Sequence, residues 1–80
     1  MSTIKFIESK IAEVEKSIKA REQSETIWRT LPEVEWRAVG CKMNKAARIA
    51  VADSEARILV KLRRELASFK DVLDQLERAK

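Results

Sequence analysis

The chain has 80 residues, of which 45% are hydrophobic and 38% charged, and its net charge is +4. One Cys and no His exclude a disulfide scaffold and a zinc site built on Cys/His clusters. No apolar run approaches the roughly 20 residues needed to span a bilayer. The charged stretch from Met1 to Lys10 lacks the apolar segment of a signal peptide. The expectation is therefore one small cytoplasmic domain over residues 1–80 (host cytoplasm if the chain is viral).

A single Gly and a single Pro indicate a helical chain. A first long helix is predicted over about residues 3–30, with Ser2 or Thr3 as its N-cap. Ile4, Ile7, Ile11, Val14 and Ile18 recur at alternating spacings of three and four, the pattern of a coiled-coil seam. The same count continues through Arg21, Glu25 and Trp28, so the seam turns polar before regaining an aromatic ring. Glu15–Lys19 and Glu25–Arg29 are i,i+4 pairs in the favourable order.

Pro32 and Gly40 bracket the break. The residue before a proline avoids the α conformation, which ends the first helix near Leu31. Glu33 to Val39 then predict a short helix started at Pro32 and stopped by Gly40, within a connection of about residues 31–43, carrying Trp36 and Val39 as a plug on the end of the bundle. A second long helix is predicted over about residues 44–79, capped by Asn44 and running through Asp53, which would pair with Arg57. From Leu59 its seam is Leu59, Leu62, Leu66, Phe69, Leu73 and Leu76, widened on one flank by Ile58 and Val72. A stripe this wide touches two neighbours rather than one. There is no repeat, no low-complexity tract and no candidate strand.

These elements predict an all-α fold: a long, coiled-coil-like antiparallel hairpin with a short helical connection. The leucine stripe is too wide for one neighbour, so a homodimeric four-helix bundle is the simplest closure, and docking of the stripe on a larger protein is the other. The bundle's seam would be Ile4, Ile7, Ile11, Val14 and Ile18 on the first helix with Leu59, Leu62, Leu66, Phe69, Leu73 and Leu76 on the second.

The charge is uneven. Residues 36–64 hold eight bases against two acids. Lys42, Lys45, Arg48, Arg57, Lys61 and Arg64 are therefore candidate contacts for an anion or a nucleic acid. Arg57, Lys61 and Arg64 lie on the face opposite the leucines, which is equally the composition of a solvated helix back.

Catalytic chemistry finds no support. The commonest general base is absent with His, and one Gly excludes a phosphate-binding loop. Glu33 and Glu35 stand at i,i+2 and point apart. Cys41 beside Lys42 has the setting of a lowered thiol pKa, although a lone cysteine in a small domain is more often inert. No metal or other cofactor is expected. Trp28–Arg29 and Trp36–Arg37 have the composition of contact hot spots, and the alternative is that both rings close the end of the bundle. The sequence therefore points to a non-catalytic protein-interaction module, a small helical adaptor or inhibitor of a larger host or cellular complex, as accessory proteins of viruses and mobile elements are. The alternatives are a nucleic-acid-binding helical dimer and a structural assembly subunit.

Overall fold

The structure, a computed structural model, describes residues 2–79. Three helices follow in order: α1 Thr3–Thr30, α2 Glu33–Ala38 and α3 Lys45–Arg78. There is no strand among the described residues. α1 and α3 pack along each other as a hairpin of 57 × 19 × 14 Å. α2 lies in the connection between them.

The helix ends follow from local chemistry. The Ser2 hydroxyl accepts from the Lys5 amide at 3.2 Å, and the Asn44 carboxamide accepts from the Ala47 amide at 2.8 Å. Each occupies one of the orphan donors of a first turn. Leu31, before Pro32, is extended at φ −64° and ψ 127°, the conformation its successor imposes. Pro32 stands at the cap position of α2, one place before the first helical residue. After α2 the chain turns on Gly40 at φ +76°. The Cys41 amide donates back to the Trp36 carbonyl at 2.9 Å, and the Gly40 amide to Arg37 at 3.0 Å. That is a Schellman ending, which needs a left-handed residue at this place.

The core is thin. Ile7, Ile11, Val14 and Ile18 are buried on α1, and Ala52 and Leu59 on α3. Val14, Ile18 and Leu59 form one cluster, with Leu62, Leu66 and Phe69 packed against it and only partly buried. A single copy thus already buries much of the seam expected between copies. The residues it leaves half-covered are Ile4, Leu62, Leu66, Phe69, Leu73 and Leu76.

Counting back from Leu59 by four and three gives Glu55, Ala52 and Arg48, so the α3 seam extends to the hinge in polar form. There Arg21 Nη1 donates to Glu55 Oε1 at 3.0 Å and to Oε2 at 3.2 Å. The pairing expected between Asp53 and Arg57 is corrected. Asp53 accepts from Arg29 Nη2 at 2.9 Å across the hairpin. The antiparallel register brings that guanidinium to Asp53, and Arg57 stays on the outer face.

Candidate functional site

The hinge end gathers most of the residues that carry chemistry. The Trp28 and Trp36 rings stack with centroids 4.7 Å apart and planes 21° from parallel. The Arg48 guanidinium lies over Trp36, 5.6 Å from its centroid. Arg48 is only 4% exposed and Trp36 7%. Arg48 Nη1 donates to the Met43 carbonyl at 2.7 Å, and Nη2 pairs with Glu33. One side chain from the first turn of α3 therefore binds α2 and the loop before α3 together. A planar fork that also stacks on an indole is specific to arginine.

Arg29 is held by Glu25 on its own helix at 2.9 Å and by Asp53 on α3. Those hydrogen bonds, Glu25's first, raise its pKa further. A guanidinium is charged at every ordinary pH, so the pair is no pH switch. A polar cleft of about 240 Å³ lies beside these groups, with Arg29, Glu33, Lys45 and Arg48 in its wall. Three of the four are paired with one another or with neighbours, and Lys45 alone stays in no ion pair.

The candidate residues are distributed as follows. Of the four proposed for partner contact, Trp36 is buried and Trp28 half-buried, and both rings pack within the chain. Arg29 is engaged. Arg37 faces solvent, with Glu33 3.9 Å away. Of the six proposed anion contacts, Arg48 is taken up inside the hinge. Its burial beneath Trp36 and its bond to Glu33 remove it as a surface contact. Lys42, Lys45, Arg57, Lys61 and Arg64 are exposed and in no ion pair among the described residues. Lys45 stands about 18 Å along α3 from Arg57, so the basic residues form two separate groups.

One outward residue, Val34, escaped the sequence reading, and the expectation that Val39 plugs the bundle end with Trp36 is corrected: Val34 and Val39, at the hinge, are 71% and 72% exposed. Ile27 and Met43 nearby are also exposed. Val34 and Trp36 are about 200° apart on α2, so burying the ring turns the valine outward. That opposition is the signal that would have found it. No group of three or more potential metal ligands occurs among the described residues. No described helix is long and apolar enough to cross a membrane. Comparison with family models, curated proteins and solved structures finds no match to this chain.

Proposed function

We propose that the protein is a non-catalytic protein-interaction module: a small helical adaptor or inhibitor that docks its hinge end on a larger complex. The observation that carries this reading is the pair of valines on the hinge. Val34 and Val39 are large apolar side chains held outward on a turn that is capped, stacked and ion-paired from behind. An apolar contact on a rigid support loses little conformational entropy on binding, and Arg37 beside it adds a side chain common in hot spots. The hairpin's half-covered leucines support a second element of the reading, self-association into a four-helix bundle.

The test is affinity capture from native extract with and without nuclease, comparing the wild-type chain with Val34→Asp/Val39→Asp. A protein recovered by the wild type after nuclease, and lost with the double variant, is the expected result. Equal recovery by both would remove the hinge as the docking site.

A second reading, nucleic-acid binding, has one specific observation in its favour. Arg57, Lys61 and Arg64 are aligned on the outer face of α3 and in no ion pair. Such binding must weaken steeply as salt rises. Salt-insensitive binding, or none, discards it.

A further inference from the structure

We infer that a second copy of this chain packs antiparallel on the flank of α3 that α1 leaves open. The two copies of α3 then overlap about their middles, and their hinges point to opposite poles. This arrangement rests on the self-association proposed above and specifies its surface and direction.

Four observations lead to it. First, α3 carries two seams. Beside the row facing α1 runs Ile58, Leu62, Glu65, Phe69, Val72 and Leu76, again spaced by four and three. Ile58 and Val72 lie about 140° and 180° around α3 from Arg63. Arg63 reaches Glu22 on α1 at 4.0 Å, so the charged side of the hairpin is the other one. Second, the hairpin has two unlike halves. The cross-hairpin ion pairs run from Arg29–Asp53 through Arg21–Glu55 to Glu22–Arg63. Beyond that level no ion pair joins α1 to α3 among the described residues. There Phe6 is 47% exposed and Val72 39%, and the leucines are half-covered.

Third, the area is sufficient. A compact monomer of 9.2 kDa exposes about 4,900 Å². This hairpin exposes 6074 Å², an excess of about 1,100 Å² over a compact monomer. A standard interface buries about 800 Å² per partner. Fourth, charge sets the direction. From Lys45 to Arg64, α3 holds six bases and two acids, and from Glu65 to Arg78 four acids and two bases. Antiparallel copies lay the basic half of each along the acidic half of the other. Glu65 is the one charge on the open row. Parallel copies would set it against itself, whereas antiparallel pairing about the middle of α3 sets it near Lys61 of the other copy.

The experiment combines mass with hinge-to-hinge distance. Sedimentation gives the mass of the full chain and of Val72→Asp. Energy transfer is read between dyes on Val39→Cys in a Cys41→Ser background. The expected wild type is a dimer of twice 9.2 kDa with the hinge ends of the two α3 helices about 50 Å apart or more, from the rise along α3. Val72→Asp is expected to sediment at the mass of one chain with its helical circular dichroism intact. A dimer with adjacent hinges, or one that survives Val72→Asp, would overturn this arrangement and leave self-association standing. A wild-type monomer at millimolar concentration would overturn both. Val34→Asp/Val39→Asp is expected to dimerise normally, which separates this surface from the hinge.

Discussion

Arg48 does three jobs at once, and each has a physical consequence. It stacks on Trp36, donates to the Met43 carbonyl and pairs with Glu33, all while 4% exposed. Arg48→Ala removes a cation–π contact and two charge-assisted hydrogen bonds, and Glu33, being half exposed, recovers water in compensation. The expected loss is about 2–3 kcal/mol. In a chain of this length that lowers Tm by roughly 10–20 °C at fixed protein concentration. Arg48→Lys is expected to recover less than half, because an ammonium has neither the fork nor the flat face. Arg57→Ala, on an exposed and unpaired residue, is expected to stay within about 0.5 kcal/mol. Thermal unfolding followed by tryptophan emission checks the series, because both tryptophans lie at this end. A loss at Arg57 equal to that at Arg48 would contradict the structural account.

Among the elements, α2 is the shortest and depends most on its ending. Gly40 sits at φ +76°, and a Cβ there would meet no atom within 4 Å. The cost of Gly40→Ala is therefore backbone strain alone, about 1–2 kcal/mol. Gly40→Asn is expected to cost less, since Asn enters the left-handed region more readily. Urea midpoints of the two variants check the order, and equal midpoints would place the strain elsewhere. The two long helices were legible because their apolar residues keep a seven-residue period over several turns. Ser2, Asn44 and Gly40 were legible because capping is local chemistry. The hinge was not. Arg48, Ala52 and Glu55 continue the α3 period, but two of them are charged, and an apolar count stops at Leu59. Asp53 looked paired to Arg57 because the i,i+4 rule sees one helix, and only the hairpin register brings Arg29 to it. The tryptophan-arginine pairs left open an outward surface or a closed bundle end, and nothing local decides whether a six-residue helix turns Trp36 or Val34 toward the core.

The whole molecule divides unevenly along its length. Its radius of gyration is 17.6 Å, against about 12 Å for a compact chain of this size. Such a rod has little interior, so stability must vary along it. The hinge half closes on itself through the stacked tryptophans, Arg48 and the ladder from Arg29–Asp53 to Glu22–Arg63. The open half has isoleucines on one side, half-covered leucines on the other, and no charge pair across it among the described residues. A second copy would supply the missing cover there, whereas the hinge half, although it meets the partner as well, already stands on its own contacts. Amide hydrogen exchange should therefore respond to concentration mainly in the open half. Raising the protein from micromolar to millimolar is expected to slow exchange at least tenfold in residues 4–14 and 66–78, which corresponds to about 1.4 kcal/mol of added local stability. Residues 21–30 and 45–58 are expected to change far less. Uniform slowing along the chain would mean that folding and association are a single step, and that the hinge half does not stand on its own contacts.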